Sequence, residues 1–287
     1  MVITMSDFFW KDFNLDHTLG CGQVFRWDKK DDVWTGVAEG EIIHAIQQKD
    51  GSVLIDSHLP AEFFINYFRI DDDLCHILQK INKDPCINKA INDFYGLRLI
   101  RQDPWECLIS YMLATASSIP TIKKRISNLC SMFGNEITDG YFSFPEPSDI
   151  ANACISDLQE CKLGFRTQRI KNAAEIVNRG NIDLESLQKM EYYDARKKLM
   201  SIEGVGEKVA DCVLLFSMDK LESFPVDTHI KKIVEYMYCD NTLLQNGKNY
   251  HKIGEWGREY FGNYCGYAQE YLYMLKRSGN YQSRYTC

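Results

Sequence analysis

The chain has no C-x-x-C pair, although it carries eleven cysteines among its 287 residues. Structural zinc sites and iron–sulfur clusters commonly use that spacing, so the sequence argues against both kinds of site. Most of the cysteines stand in apolar runs such as WECLISYML and ADCVLLF. We therefore expect reduced thiols that pack as small hydrophobic side chains, with Cys212 as a candidate for a further role.

The sequence also contains no run of eighteen apolar residues, and its start lacks the basic residues and apolar stretch of a signal peptide. A membrane span is therefore not expected, and we expect the protein to stay in the cytoplasm. Neither an internal repeat nor a low-complexity tract is present. With 45% hydrophobic and 25% charged residues, the composition is that of a globular protein.

The chain also lacks an excess of basic residues, and its formal net charge at pH 7 is −7. This balance argues mildly against a polyanionic partner. The segment KLGFRTQRIK (residues 162–171), however, carries four basic residues and no acidic one. Such a basic strip can bind a phosphate backbone on an acidic protein, although a solvated helix face would show the same pattern.

Two kinds of pattern divide the chain. In the first part, the β-favouring runs VFRW, VWTGVA, IIHAIQQ and SVLIDS are separated by turn-forming residues, and two segments with helical spacing follow. From about residue 95 the pattern is almost wholly helical. We therefore predict an α+β protein, in which an antiparallel β-rich domain (1–95) precedes an all-α domain (96–287).

Capping signals divide the helical part into segments. Asp103 and Pro104 provide a cap and a first-turn proline for the helix WECLISYMLATA. The stretch PSDIANACISDLQECKLG has amphipathic spacing throughout and ends on a glycine, as does QRIKNAAEIVNRG. Each of these stretches predicts one helix.

The segment LMSI-EGVG-EKVADC predicts two helices joined by a tight hairpin at about 195–217. Gly204 and Gly206 allow positive φ and close approach to a ligand, and Val205 between them can point into the core. The free amides at the start of the second helix then form a nest that binds phosphate oxygens. A plain helix-joining turn remains an alternative on this pattern alone.

Lys208 follows the hairpin at the start of a helix, where the exposed amides favour anions rather than cations. A neutral lysine amine is a nucleophile that forms Schiff bases. Asp227, in FPVDTHI, is a carboxylate that can stabilise a cationic sugar and transfer protons. The same aspartate is also a helix N-cap by its position, and the two roles are compatible.

Five motifs in this order resemble the helix-hairpin-helix DNA glycosylase superfamily, and within it the 8-oxoguanine DNA glycosylase/AP lyases. They are GQVFRW, RQDPWECLIS, the hairpin with KVADC, PVDTHI and GYAQEYLY, and they extend over most of the chain. The resemblance implies a bifunctional enzyme that flips 8-oxoguanine out of duplex DNA and excises it. It also implies that the strand is nicked by β-elimination through a lysine Schiff base.

The resemblance assigns roles to residues that match the family's motifs. Lys208 and Asp227 match the catalytic pair. The base-binding residues it implies are Gly22, whose carbonyl accepts from N7–H of the lesion; Cys212 and Tyr273, which stack on the base; and Gln269, which reads its Watson–Crick edge. Tyr273 departs from the family pattern, which often has phenylalanine there.

Further matches concern the DNA around the lesion. The hairpin residues Gly204, Val205 and Gly206 and the helix-start residue His229 match phosphate-binding positions. Arg166 matches a reader of the opposite cytosine, and Phe165 matches an aromatic wedge. The loop LATASSIPTIKK departs from the family: Ala116, Ser117 and Ser118 stand at asparagine positions, and Thr121 stands at an arginine position.

The resemblance implies double-stranded DNA containing 8-oxoguanine as the partner of a monomer in the bacterial nucleoid. It implies no required cofactor and no protein metal site, although a monovalent or divalent cation could bridge the hairpin and a DNA phosphate. Two alternatives stay open. One is a glycosylase of the same superfamily for another damaged purine; the other is a non-catalytic helix-hairpin-helix protein that only holds the DNA backbone.

Overall fold

A computed structural model describes residues 5–138, 140–238 and 250–279. It contains an antiparallel five-stranded sheet followed by helices, which confirms the predicted α+β class. The strands are β1 (Met5–Phe8), β2 (Trp27–Lys30), β3 (Val33–Ala38), β4 (Glu41–Gln47) and β5 (Val53–Asp56). Their order in the sheet is β1-β5-β4-β3-β2, so β1 completes an edge beside β5.

Two details of the predicted sheet are wrong. β1 was not predicted, because its four residues MSDF carry no clear alternation of polar and apolar side chains. The run VFRW was predicted as a strand, but pairing begins only at Trp27. Before that point Phe25 packs on Tyr111 at 5.6 Å between ring centroids. Phe25 therefore packs against the helical part and does not belong to a paired strand.

The helices occupy most of the remaining described chain. They are α1 (Leu15–Gly20), α2 (Ala61–Tyr67), α3 (Leu74–Ile81), α4 (Pro85–Asp93), α5 (Pro104–Ala114), α6 (Ile119–Phe133), α7 (Pro147–Asn152), α8 (Ile155–Glu160), α9 (Thr167–Asn178), α10 (Leu184–Gln188), α11 (Tyr192–Met200), α12 (Glu207–Ser217), α13 (Thr228–Met237), α14 (Tyr250–Phe261) and α15 (Cys265–Ser278). A short two-stranded hairpin, β6 (Glu136–Thr138) with β7 (Tyr141–Phe142), lies between α6 and α7.

The capping prediction at Asp103 is confirmed, since its Oδ1 accepts from the Glu106 amide at 2.7 Å. The stretch predicted as one helix from Pro147 instead forms α7 and α8. The break has a clear physical cause: the ammonium of Lys171 donates to the carbonyl oxygens of Ala151 and Ala153 at 2.9 and 2.7 Å. These bonds satisfy the carbonyls that the helix would otherwise have paired.

Two groups of buried side chains stabilise the fold. One lies between the sheet and α2 and includes Trp27, Ile43, Phe64 and Phe68. The other, larger group belongs to the helical part, and α3 and α4 pack into it against α15. The boundary predicted between residues 95 and 96 remains a prediction.

None of the described cysteines forms a disulfide, and seven of nine are buried. The expectation of buried thiols is thus confirmed at most positions and is wrong at Cys75 and Cys154, which are exposed. Cys239 and Cys287 lie outside the described residues. Within the described ranges, none of the helices combines the length and the apolar character that a membrane crossing requires.

Candidate active site

A cleft of about 990 Å³ brings together most of the residues singled out in the sequence. Its walls include Gly22, Gly204, Gly206, Lys208, Cys212, Asp227, His229, Gln269 and Tyr273. Val205 is buried below the hairpin instead, at 5% exposure. Phe165 and Arg166 lie beside the cleft in a small depression that they share with Thr115 and Gly204. Gly22 and Tyr273, which are 251 positions apart in the sequence, therefore line the same cleft.

The hairpin joins α11 to α12 as the sequence predicts. Gly204 has φ +92°, and a Cβ there would lie 2.8 Å from Cδ of Arg169, so both backbone conformation and space require glycine. Gly206 is the N-cap of α12, and nothing lies within 4 Å of a Cβ built on it. The first amides of α12 thus stand at an open surface, as a phosphate-binding nest requires.

A buried ion pair fixes the two hairpin helices to each other. Asp211 of α12 accepts from Nε of Arg196 on α11 at 2.8 Å and from the hydroxyl of Tyr192 at 2.7 Å. Asp211 is 3% exposed, so removal of either partner would leave a buried polar group unpaired. Because Asp211 lies between Lys208 and Cys212, this pair also orients the helix face that carries both.

Lys208 is half-buried in the first turn of α12, and its Nζ lies 4.7 Å from the ring centroid of Tyr111. Among the described residues, no carboxylate forms a salt bridge with this ammonium group. Tyr111 in turn is buried and stacks on Phe216 with a 5.5 Å centroid distance. The amine therefore rests on an aromatic face at the cleft wall, free of a neutralising acid.

Asp227 is the N-cap of α13, as predicted from the sequence. Its Oδ1 accepts from the amides of His229 and Ile230, both at 2.8 Å. Oδ2 accepts no hydrogen bond from the described part of the chain. The residue is half-buried on the cleft wall, so this second oxygen can act on a bound molecule while the first one caps the helix.

Cys212 lies one turn after Lys208 on α12 and is 3% exposed. Burial raises the pKa of its thiol to about 12, and the nearby ammonium of Lys208 lowers it in part. The side chain is therefore a neutral thiol at physiological pH. A neutral, polarizable group suits a surface that stacks on a base better than it suits a nucleophile.

One face of α15 forms the opposite wall. Gln269 is 5% exposed, and its Oε1 accepts no hydrogen bond from the described residues. Tyr273, one turn later, is half-buried and meets the ring of His229 edge-on at 5.7 Å. Burial raises the pKa of Tyr273 well above its usual range, so its hydroxyl stays protonated. An unpaired buried amide oxygen is costly unless a ligand supplies a donor.

Gly22 reaches the cleft from the loop after α1. Its φ is +102°, and a Cβ there would lie 3.2 Å from Nη1 of Arg277 and 3.3 Å from Cδ1 of Ile119. Both the conformation and the space therefore favour glycine. Within the described chain, the carbonyl oxygen of Gly22 accepts no hydrogen bond. It is an acceptor available to a bound molecule.

Glu270 is a residue of the cleft that the motif comparison passed over. It is 3% exposed, and burial raises the pKa of its carboxyl to about 7; Asp227 raises that pKa further, and Cys21, Arg277 and Lys208 lower it. Its position directly after Gln269 in GYAQEYLY was the sequence feature that could have indicated a place near the cleft. Tyr111 was also missed, because its apolar surroundings in WECLISYML indicate only a core position.

The raised pKa of Glu270 gives a prediction about stability. Well below pH 4.5 the carboxyl is protonated in both the folded and the unfolded chain, and this neutral form is the one that the fold accommodates. As pH rises towards 7, the unfolded state loses its proton more readily, so the folded state is destabilised. Glu270→Gln removes this dependence and is expected to raise the free energy of unfolding by up to about 3 kcal/mol at pH 8.5. At pH 5 the gain should fall to about 1 kcal/mol or less.

Urea unfolding of the parent and variant at the two pH values measures the difference. Glu62→Gln, at an exposed position on α2, is the control for the charge change. An equal gain at both pH values would contradict the titration of Glu270.

Phe165 and Arg166 form a projection next to the cleft. Phe165 is 63% exposed, and the guanidinium of Arg166 lies 4.1 Å from its ring centroid. Arg166 donates to the carbonyl of Thr115 and, at 3.0 Å, to Oγ of Ser117. Arg125 donates to the same Oγ at 2.6 Å. Two arginines therefore converge on the loop after α5, and Arg125 was not foreseen from the motifs.

The basic strip 162–171 is not one continuous DNA-facing surface. Lys171 is held by the α7 carbonyls, and Arg166 is 4% exposed. Arg169 keeps an accessible guanidinium, 3.6 Å from Glu203. The helical spacing of the strip could not distinguish a lysine that caps a neighbouring helix from one that faces solvent.

Among the described residues, no group of three or more His, Cys, Asp or Glu side chains is placed to hold a metal ion. The prediction of no required cofactor and the prediction of a cation between the hairpin and a phosphate both remain predictions.

Comparison with known proteins gives two family matches. Residues 8–108 match the 8-oxoguanine DNA glycosylase N-terminal domain, and residues 109–258 match the HhH-GPD superfamily of base excision DNA repair proteins. The second match alone covers more than half of the chain.

Individual relatives agree with these matches. The N-glycosylase/DNA lyase of Saccharomyces cerevisiae is 32% identical over 78% of this chain and 68% of its own length. The N-glycosylase/DNA lyase OGG1 of Arabidopsis thaliana is 27% identical over 92% of this chain and 78% of its own length.

A solved structure extends the agreement to the whole fold. The 8-oxoguanine glycosylase/lyase of Clostridium acetobutylicum, in complex with double-stranded DNA that has cytosine opposite the lesion, superposes with a TM-score of 0.87 at 30% identity. The superposition covers 96% of this chain and 98% of that one. The chain therefore belongs to the HhH-GPD superfamily of base excision DNA repair proteins, within its 8-oxoguanine DNA glycosylases.

Proposed function

We propose that the protein excises 8-oxoguanine from double-stranded DNA and then nicks the strand at the resulting site. The observation that carries this proposal is the meeting of Lys208 and Asp227 in one cleft with two unused acceptors, the Gly22 carbonyl and Gln269 Oε1. Nucleophile, charge stabiliser and base-reading groups are thus present together. A protein that only held the DNA backbone would need none of them.

The cleft supports a two-stage reaction. The ammonium of Lys208 gives up a proton, and the resulting neutral amine attacks C1′ of the nucleotide as the bond from C1′ to the base breaks. The base leaves with the bonding electrons and takes up that proton. The carboxylate of Asp227 stabilises the positive charge that develops on the sugar. Opening of the sugar ring leaves an imine between Lys208 and C1′. Loss of a proton from C2′ then expels the 3′ phosphate, which is β-elimination, and water releases the lysine.

Base selection rests on hydrogen-bond direction. 8-Oxoguanine carries N7–H, a donor, where guanine has an acceptor. The Gly22 carbonyl pairs with the lesion and repels guanine, which costs about 1–3 kcal/mol in a desolvated site. Gln269 reads the Watson–Crick edge with its free Oε1. Cys212 and Tyr273 stack on opposite faces of the base.

The hairpin and its neighbours bind the DNA backbone. The amides of Gly204 and Gly206, together with His229, contact phosphates without reading sequence, whereas the Val205 amide donates to the carbonyl of Ile202 at 3.0 Å within the hairpin. The hairpin would also hold a cation, which would neutralise part of the phosphate charge. Phe165 fills the space that the flipped base leaves. The protein acts as a monomer on the DNA of the bacterial nucleoid.

A direct experiment tests the proposal. Duplexes with a single 8-oxoguanine are incubated with the protein, and the products are resolved with and without alkali. Strand cleavage without alkali, together with a protein–DNA adduct after borohydride, is the expected result, because only an imine is reduced to a stable bond. Cleavage that needs alkali and yields no adduct would leave a glycosylase without the lyase step.

The loop after α5 predicts tolerance for the base opposite the lesion. Small side chains at Ala116, Ser117 and Ser118 replace asparagines of the family, and Thr121 replaces an arginine. A good base contact is worth about 1–3 kcal/mol of discrimination, so its absence relaxes the preference for cytosine. We expect single-turnover excision rates opposite C, T, G and A to lie within about a hundredfold of one another.

A larger preference for cytosine would contradict this expectation. In that case Arg125 is the candidate for reading the cytosine, because it donates to the same Ser117 Oγ as Arg166. Under that outcome, Arg125→Met should remove the preference if Arg125 replaces the missing arginine.

A further inference from the structure

The loop that carries Gly22 is fixed on its N-terminal side by an arginine from α15. Nη1 of Arg277 donates to the carbonyl oxygens of Gly20 and Cys21 at 2.8 and 2.7 Å. One guanidinium nitrogen thus holds the two peptide groups that come directly before Gly22. Hydrogen bonds from a charged donor are stronger than neutral ones.

The C-terminal side of the loop is fixed from the helical part. The carbonyl oxygen of Gln23 accepts from the hydroxyl of Tyr111 at 3.0 Å and from the side-chain amide of Gln102 at 2.8 Å. The Gly22 carbonyl stands between these tied groups and accepts nothing from the described residues. Its direction is therefore set by the bonds on both sides.

The guanidinium of Arg277 also packs directly against Gly22 itself. A Cβ on Gly22 would come within 3.2 Å of Nη1 and 3.9 Å of Cε1 of Tyr273. Arg277 follows Tyr273 by one turn of α15, so the arginine continues the helix face that lines the cleft. The outer side of Arg277 is exposed, which leaves its two backbone bonds as its main attachment.

A second charged group of α15 strengthens the arrangement. Glu270 lies almost two turns before Arg277, is buried beside Cys21, and is attracted to Arg277. The carbonyls of Gly20 and Cys21 are thus held by Arg277, and the Cys21 thiol, which donates to the carbonyl of Thr18 at 3.2 Å, lies beside Glu270 of the same helix. Neither Arg277 nor Glu270 has a part in the proposed chemistry.

We propose that Arg277 is a positioning residue for lesion recognition: by holding the carbonyls of Gly20 and Cys21, it aims the Gly22 carbonyl at N7–H of the flipped base. The inference rests on the proposed function, since it assumes the Gly22 contact. Without Arg277 the two carbonyls lose their donor, and the peptide before Gly22 can rotate. The contact to N7–H then weakens, whereas the chemistry at C1′ stays intact.

The test changes the protein and the base together, so that only their coupling is measured. Binding is compared for duplexes with 8-oxoguanine and with 8-oxo-7-deazaguanine, in which a C–H replaces the N7–H donor. The measurements use the Lys208→Gln background, in which no base is lost. The variants added to it are Arg277→Met, Arg277→Gln and Arg277→Lys. Arg179→Met is the matched control, because Arg179 is exposed and bonds to Glu175 on its own helix.

The parent and the Arg179 control are expected to prefer 8-oxoguanine by about tenfold or more. Arg277→Met and Arg277→Gln should bind the two duplexes within about threefold of each other, and Arg277→Lys should restore part of the preference. A folded Met or Gln variant that keeps the parent's preference overturns the inference. If one of the two does not fold, the other decides.

Failure of the proposed function gives a different pattern. Strand cleavage at an abasic duplex needs Lys208 but no base contact, so Arg277→Met with Lys208 intact should cleave that duplex at the parent's rate. Absence of abasic cleavage and of a borohydride adduct in the parent would contradict the function itself. Equal loss of abasic cleavage and lesion binding in Arg277→Met would show a general structural role and overturn the inference alone.

Discussion

Lys208→Gln is expected to abolish base excision and borohydride trapping while the protein still binds lesion DNA. Glutamine has nearly the length of lysine but no nucleophilic amine, so the imine cannot form. The hairpin amides that hold the backbone belong to the main chain, and the substitution leaves them in place. Loss of activity without loss of binding therefore separates the nucleophile from the binding surface.

Folding should survive this substitution. Lys208 forms no salt bridge in the described chain, and its contact with the ring of Tyr111 is worth about 0.5–1 kcal/mol. Lys80→Gln, at an exposed position on α3, is the matched control and should excise the base at the parent's rate. A trapped adduct on 8-oxoguanine duplex in Lys208→Gln would assign the nucleophile to another residue.

The sequence was most informative where the chemistry needs a fixed residue type in a fixed local setting. Gly204 and Gly206 around the hairpin, Asp227 before α13, and Asp103 before α5 were all found from local rules for turns and caps. Each of these rules depends on a few neighbouring residues. The structure confirms positive φ at Gly204 and the caps at Asp103 and Asp227, whereas the expected positive φ at Gly206 is wrong, since that residue has φ −94° as the N-cap of α12. The roles of the site residues stay predictions.

Contacts between distant segments could not be predicted in this way. The bonds from Arg277 to Gly20 and Cys21 connect residues more than 250 positions apart. Arg125 and Arg166 meet at Ser117, yet no local pattern in either segment indicates that meeting. The sequence places Lys171 in a basic strip, because helical spacing does not show that its ammonium binds the carbonyls of Ala151 and Ala153.

The sheet shows the same limit in another form. β1 pairs through its backbone with β5, and its side chains carry no alternation to show it. In VFRW, Phe25 is buried as a strand would bury it, but against Tyr111 of α5, whereas Val24 and Trp27 belong to the core beside the sheet. The residue type indicates that a side chain will be buried, whereas the residues that it packs against depend on the tertiary fold.

The second large effect is expected at Asp227, where two functions share one carboxylate. Oδ1 caps α13, and Oδ2 is left to act on the sugar. Asp227→Asn keeps an oxygen that can accept from the His229 and Ile230 amides but removes the negative charge. We expect a melting temperature near that of the parent and a fall in excision rate on the order of 10²–10³-fold, as for loss of other preorganised electrostatic groups.

Asp227→Ala distinguishes the two functions further. It removes the cap together with the charge, so it should lose about 0.5–2 kcal/mol of stability in addition to the loss of rate. Asp73→Asn, which alters an exposed helix cap on α3, is the matched control and should leave the excision rate unchanged. Because Asn and Ala share the loss of charge and differ in the cap, equal rates with unequal stabilities would assign the rate effect to the charge. If Asn instead keeps the parent's rate and only Ala loses it, the carboxylate serves the helix and the charge on the sugar is stabilised elsewhere.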